Sequence, residues 1–175
     1  MRWLPLLLGL IAGPAAAAVV DAQPGGFEVK TTIAIAASPD AVYAALVQPG
    51  RWWSSQHTYS HDARNLTLEP LAGGCWCEAL PGGGSVQHMR VVYADPGKML
   101  RAVGGLGPLQ GMGVQGALTW TLASGPAGGT VVTQAYDVGG YAPGGLVALA
   151  PIVDGVLGEQ LARLKAYVET ARPAP

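Results

Sequence analysis

Hydrophobic and polar positions alternate from Phe27 to Ile35. Phe27, Val29, Thr31, Ile33 and Ile35 fall on one side, with Glu28, Lys30 and Thr32 on the other. A period of two predicts a strand with one buried face. The pattern changes at Ser38-Pro39-Asp40, where a helix begins. Serine can cap it, proline suits its first position, and aspartate favours its positive end. Val42, Ala45 and Leu46 form its apolar side, and Pro49-Gly50 stops it. Arg51-Trp52-Trp53-Ser54 follow as a short second helix or a tight turn.

Leu66 and Leu68 mark a short strand. Gly74 to Leu80 and Ser85 to Tyr93 read as two strands joined around Pro81-Gly82-Gly83-Gly84, a hairpin connection. After the turn Asp95-Pro96-Gly97-Lys98 come a strand from Met99 to Val103 and a glycine-rich loop from Gly104 to Gly113. Val114, Leu118, Trp120 and Leu122 then share one strand face, opposite Gln115, Thr119 and Thr121. Gly125 to Gly129 turns into a strand from Thr130 to Val138. A last helix runs from Pro151 to Thr170, with Val153, Leu157, Leu161, Leu164 and Val168 as its apolar stripe. Gly155, Gly158 and Ala162 are small enough to let that helix approach a sheet closely. The order predicts an α+β domain in which a curved antiparallel sheet wraps around the terminal helix. A parallel dinucleotide-binding sheet is disfavoured, because regularly interleaved crossover helices are missing.

The first residues belong to a different pattern. Met1 to Ala18 carry Arg2, a short apolar core from Leu4 to Ile11, and a small-residue stretch. This is the arrangement of a cleaved export signal, with cleavage near Ala18 or Ala22. The apolar core falls short of the roughly 20 residues needed to span a bilayer. The expected division is a signal over 1–22, one domain over 23–170 and a short tail over 171–175, with location in the periplasm or the medium. The mature chain is expected to keep no stable membrane span. A net charge of -1 with only 12% charged residues argues against nucleic-acid binding, which normally shows a basic patch or stripe.

The element order resembles the START-like, or helix-grip, superfamily, which includes polyketide cyclases/dehydrases and lipid-transport proteins. The resemblance covers roughly Phe27 to Val168. It is carried by the opening strand with Ser38-Pro39-Asp40-Ala41-Val42-Tyr43, by Pro49-Gly50-Arg51-Trp52-Trp53, by Asp95-Pro96-Gly97-Lys98-Met99-Leu100, and by the terminal helix. With His57-Thr58-Tyr59-Ser60, Gly73-Gly74-Cys75-Trp76-Cys77-Glu78 and Leu106-Gly107-Pro108-Leu109, the chain is similar to a bacterial subgroup of exported proteins. The resemblance implies an apolar cavity between the sheet and the long helix. It transfers no catalytic residue, since the superfamily has no common catalytic signature.

Several side chains are candidates for chemistry. Glu78 with His88 is the best acid/base pair, because their strands are joined by one hairpin and histidine titrates in the useful range. Alternation from Gly74 to Tyr93 is too weak to assign faces, and the plainer expectation puts Glu78 towards solvent with His88 a hydrogen-bonded sheet residue. Cys75 and Cys77 would point the same way from a strand, with Trp76 and Glu78 on the other face. They read first as small inert thiols; a disulfide or redox pair would need local twist or a bulge, and a metal would need more ligands. Of the other histidines, His57 and His61 match no strong metal-site spacing.

Trp53, His57, Tyr59, Trp76, Leu106, Leu109, Met112, Trp120 and Tyr136 are the candidate ligand contacts. The aromatics combine apolar faces with polar handles, and the glycine-rich loop forms either a mobile entrance or a cover for the sheet end. Trp52-Trp53 either locks the short helix against the sheet or forms an exposed patch. No nucleophile elbow, H-E-x-x-H helix or phosphate loop is present, and no cofactor is expected. The leading expectation is an exported module that binds or transports a small apolar or amphipathic molecule. The alternatives are a cyclase-, dehydratase- or hydrolase-like enzyme using Glu78 and a histidine, and a protein-interaction module whose partner the sequence does not name.

Overall fold

A computed structural model describes residues 16–172. The signal expected over the first residues lies largely outside that range. Among the described residues eight strands form one antiparallel sheet: β1 (Ala16–Gln23), β2 (Gly26–Ile35), β3 (Leu66–Leu68), β4 (Cys75–Ala79), β5 (Ser85–Asp95), β6 (Met99–Gly104), β7 (Gly113–Ser124) and β8 (Thr130–Tyr141). Their spatial order is β1-β2-β8-β7-β6-β5-β4-β3. Helix α1 (Pro39–Leu46) follows β2, and helix α2 (Ala150–Thr170) ends the described chain. The sheet curls around α2, which is the α+β helix-grip arrangement expected from the element order.

The local reasons are visible in the sequence. Phe27, Val29, Thr31 and Ile35 are buried on β2, while Lys30 and Thr32 on the opposite face are exposed. Ser38 Oγ accepts a hydrogen bond from the Ala41 N–H at 3.4 Å, so the predicted cap closes the first turn of α1. Val42, Tyr43, Ala45 and Leu46 bury the inner face of that helix. On α2, Leu157, Leu161 and Leu164 are buried, with Val153 and Val168 at the margins. Gly155 and Ala162 are exposed, so they do not serve the close approach to the sheet that their size suggested. Polar ties add to that apolar packing. Lys165 Nζ donates to the Ala34 carbonyl at 2.6 Å, and Glu169 accepts from the Ala36 N–H at 2.8 Å.

β1 was not expected as a strand, since its alanine-rich start reads as the end of a signal. It pairs with β2 from Ala16↔Thr32 to Gln23↔Gly26. Among the described residues no helix is long and apolar enough to cross a membrane.

Two bulges in β5 shape the half of the sheet that carries β3 to β6. Trp76 pairs with Met89 but Cys77 pairs with Gln87, so His88 is the extra residue against β4. A second shift lies between Val91 and Tyr93 against β6. Bulges bend a strand and increase its twist. They also break the alternation: His88 and Met89 are neighbours in sequence, yet both are buried. Gly104, with φ +155°, ends β6 against this irregularity; a Cβ there would lie 2.5 Å from the His88 carbonyl oxygen. A side chain at that position would push β6 off the bulge.

Candidate functional site

A cavity of about 440 Å³ opens between the curved sheet, α2, the segment after α1 and the glycine-rich loop. Its walls are mostly apolar: Trp53, Trp76, Leu106, Leu109, Val153 and Leu157 contribute. The polar exceptions include His57, Tyr59 and His88.

The segment after α1 is built to hold this wall. Trp52 and Trp53 are both buried, so they lock the segment rather than form an exposed patch. Trp52 Nε1 donates to the Ala45 carbonyl and Trp53 Nε1 to the His57 carbonyl, each at 3.0 Å. Gln160 Oε1 on α2 accepts from the Ser54 N–H at 2.8 Å, and Arg163 Nε donates to the Trp52 carbonyl at 2.9 Å. Each tryptophan therefore satisfies its N–H while its rings fill apolar space. Trp53, Trp76 and Trp120 then form a row, with ring centroids 5.1 and 5.8 Å apart.

Glu78 is only 1% exposed, which corrects the expectation that it faces solvent. β4 points Trp76 and Glu78 inwards. The carboxylate accepts hydrogen bonds from the Ser60 N–H at 2.5 Å, from the Tyr59 N–H at 3.2 Å and from His88 Nε2 at 2.9 Å. Burial raises the cost of ionising Glu78, yet the side chain and N–H of Ser60, the Tyr59 N–H and His88 together outweigh it and hold the carboxyl below its usual range. Burial pushes His88 down, and the neighbouring carboxylate offsets this only in part. Near neutrality the pair is therefore a carboxylate bonded to a neutral imidazole. With Nε2–H donating to Glu78, Nδ1 keeps its lone pair. His88 is part of the cavity wall.

Tyr59 covers this histidine, with ring centroids 5.9 Å apart and planes tilted by 27°. Its hydroxyl donates to the Gly107 carbonyl at 2.9 Å, tying the segment to the glycine-rich loop. The indole N–H of Trp76 is buried with no partner. At the rim His57 Nε2 lies 3.3 Å from Glu159 Oε2 on α2.

Of the expected ligand contacts, Trp53, His57, Tyr59, Trp76, Leu106 and Leu109 line the cavity together with His88. Met112, Trp120 and Tyr136 do not. Met112 is half-buried against the core just beyond the loop. Trp120 is fully buried and donates to Gln134 Oε1 at 2.8 Å, so it is core. The ring of Tyr136 lies over Gly116, its hydroxyl donates to the Gly104 carbonyl at 2.9 Å, and burial pushes it up to about 12. Sequence reasoning also missed Ile152, Val153, Val156 and Leu157, through which α2 closes the cavity. The spacing of Val153 and Leu157 was visible, but core and cavity wall use the same stripe. His61 is exposed and away from the cavity.

The cysteines are joined: Cys75 and Cys77 form a disulfide with Cα atoms 5.4 Å apart, which corrects the reading of them as inert thiols. Two residues of extended strand span about 6.6–6.8 Å, so β4 is shortened at Trp76. The register shift opposite, at His88, accommodates that shortening. The sulfurs lie on the outer sheet face, away from the cavity wall formed by Trp76. Among the described residues no group of three or more His, Cys, Asp or Glu side chains is placed to hold a metal ion.

Comparison with known proteins agrees with this geometry. The family model described as polyketide cyclase / dehydrase and lipid transport matches residues 26–169. The chain belongs to that family. β1 lies before the matched region, at the sheet edge. No functionally curated protein matches the sequence. A conserved protein of Enterococcus faecalis superposes with a TM-score of 0.61 at 18% identity, over 92% of this chain and 80% of that chain. A Staphylococcus saprophyticus protein gives 0.57 at 14% identity, over 84% of this chain and 95% of that one. CalU16 from Micromonospora echinospora gives 0.56 at 15% identity, over 92% and 87%. At these identities the likeness concerns the polyketide cyclase/dehydrase fold alone.

Proposed function

We propose that this domain binds and carries a small, largely apolar molecule outside the cytoplasm, seating one polar end against His88. The observation that carries this reading is the cavity of about 440 Å³, apolar in most of its wall, with one buried imidazole in that wall held by a carboxylate. A ligand burying about 200 Å² of apolar surface gains about 5 kcal/mol, before the costs of association are subtracted. The polar end adds orientation, because a hydroxyl or amide N–H can donate to Nδ1 of His88. Export is supported by the signal-like pattern of the first residues.

The deciding experiment is native mass spectrometry of protein purified after export, with release and identification of any bound small molecule. One apolar or amphipathic molecule per chain is the expected result. A chain that stays empty after exposure to extracts of the source cells overturns the carrier reading.

The Glu78–His88 pair favours a second reading. A neutral imidazole held by a buried carboxylate is equipped to take a proton from a substrate at Nδ1, while Glu78 stabilises the imidazolium that results. Cyclisation, dehydration or hydrolysis of a hydrophobic substrate would each use such a step. Turnover by the wild type that is abolished in His88→Gln, with folding intact, would select this reading over simple carriage.

A further inference from the structure

We infer that the Cys75–Cys77 disulfide is a thiol–disulfide exchange site for an external dithiol, on the sheet face opposite the cavity.

The bond encloses a single residue, Trp76. Stabilisation by a disulfide in the chain-entropy account grows with the length of the loop it closes. Here the loop is minimal, and β4 is already held on both sides: Thr67 pairs with Cys77 from β3, and Arg90 pairs with Cys75 from β5. The cross-link therefore orders little that the ladders leave free. Both cysteines are partly exposed on the outer face, so a thiolate can reach the sulfurs without unfolding the sheet.

The surroundings of the two sulfurs differ. Cys77 stands between neutral side chains, Thr67 on β3 and Gln87 on β5. Cys75 has Arg90 as its cross-strand partner, exposed and without an ion pair among the described residues. On the other side the Glu69 N–H donates to the Cys75 carbonyl at 3.0 Å, which places an exposed carboxylate-bearing residue next to it. Arg90 favours a thiolate at Cys75 and Glu69 opposes it. Arg90 is the direct ladder partner of Cys75, whereas Glu69 lies past the last β3 pair and is tied to it through backbone alone. Attack is thus assigned to Cys77 Sγ, with Cys75 leaving beside the guanidinium.

The step balances. A thiolate of the dithiol forms a bond to Cys77 Sγ, the Cys75–Cys77 bond breaks, and Cys75 takes the electron pair as thiolate. The second thiol of the partner then displaces Cys77. The partner leaves as a disulfide, oxidised by two electrons, and its two protons end on Cys75 and Cys77. A protein bearing a Cys-x-x-Cys dithiol has the chemistry required of the partner.

Dithiothreitol supplies the test reagent, with thiols counted by maleimide labelling and the fold followed by circular dichroism. Native protein is expected to be reduced at least about tenfold faster than oxidised glutathione, with unchanged secondary structure. In low salt Arg90→Gln slows the reaction about two- to fivefold and Glu69→Gln speeds it by a similar factor; both differences shrink in high salt. Brief treatment with glutathione followed by acid quenching and peptide mapping should place the mixed disulfide on Cys77. A bond that yields only after denaturation overturns the inference, whatever the variants do. Equal labelling of both cysteines, or rates indifferent to Arg90 and Glu69, overturns the assignment of Cys77 as the attacked sulfur.

Discussion

Two histidine–glutamate pairs, each with its histidine in the wall of the same cavity, differ chiefly in depth. The side chains of His88 and Glu78 are 6% and 0% exposed and meet at 2.9 Å. Those of His57 and Glu159 are 32% and 46% exposed and meet at 3.3 Å. In the deep pair, water cannot replace a missing partner, so the carboxylate must be satisfied by Tyr59, Ser60 and His88 together. At the rim, solvent competes for both groups and screens their attraction. The same two residue types thus build a fixed polar end in one place and an adjustable link between two walls in the other. Burial decides which.

Removing the carboxylates should show the largest difference. Glu78→Ala strips three donors of their common acceptor and should cost about 3–5 kcal/mol in urea unfolding. Glu159→Ala should stay within about 1 kcal/mol. Comparable small losses at both positions would break the distinction. Glu78→Gln sharpens it, because shape is kept while charge is lost. A cost of about 1–3 kcal/mol is expected, since the amide cannot serve all three donors equally well. The tautomer of His88 is then no longer fixed by a carboxylate, so ligands that donate a hydrogen bond should lose affinity more than purely apolar ones, measured by calorimetry.

Acidification should separate the pairs next. The values of His88 and Glu78 are both lowered by the fold, so the unfolded chain takes up protons first as pH falls. Stability from this pair is therefore complete above the ordinary histidine value of 6.5 and declines below it until His88 protonates in the fold. A further decline begins near the ordinary glutamate value of 4.5 and continues until Glu78 itself is protonated. His88→Gln should flatten the upper decline in chemical unfolding measured across this range, leaving the lower one. An unchanged upper decline would assign it to another group.

The depth of Glu78 was not legible in the sequence, and the reason is local. On β7 the alternation of Val114, Leu118, Trp120 and Leu122 carries straight into burial, because the β7–β8 ladder runs from Gly113↔Tyr141 to Ser124↔Thr130 without a shift. On β5 the extra residue at His88 changes the phase, so no single period describes Gly74 to Tyr93. The architecture was readable because regular strands and the stripe on α2 dominate it. The site was not, because it sits where regularity fails. Trp120 and Tyr136 show the converse error. Trp120 lies on a clearly alternating strand, but Gln134 pairs in register with it, and Tyr136 lies over Gly116. A polar partner opposite a tryptophan, or a glycine beneath a large ring, marks a satisfied core position rather than a ligand contact. β1 escaped notice because alanine-rich sequence serves a signal and a strand alike. Cleavage after Ala18 would leave Val19 to Gln23 on the edge of β2, whereas cleavage after Ala22 would remove nearly all of that strand.

The rim pair should give the smallest effect on stability and a more telling one on exchange. His57 follows Trp53, whose indole holds the His57 carbonyl at 3.0 Å, so the backbone there is fixed independently of the imidazole. Glu159 is neighbour to Gln160, which holds the Ser54 N–H, so α2 is also anchored without the pair. His57→Gln should therefore change unfolding free energy by less than about 1 kcal/mol. What the pair adds is a tie across the opening between the segment after α1 and α2. Losing it should speed ligand dissociation by about two- to fivefold, the kinetic equivalent of up to about 1 kcal/mol, read by stopped-flow tryptophan fluorescence. If dissociation is the same in both proteins, ligand leaves by another route and the link between His57 and Glu159 is only a surface contact.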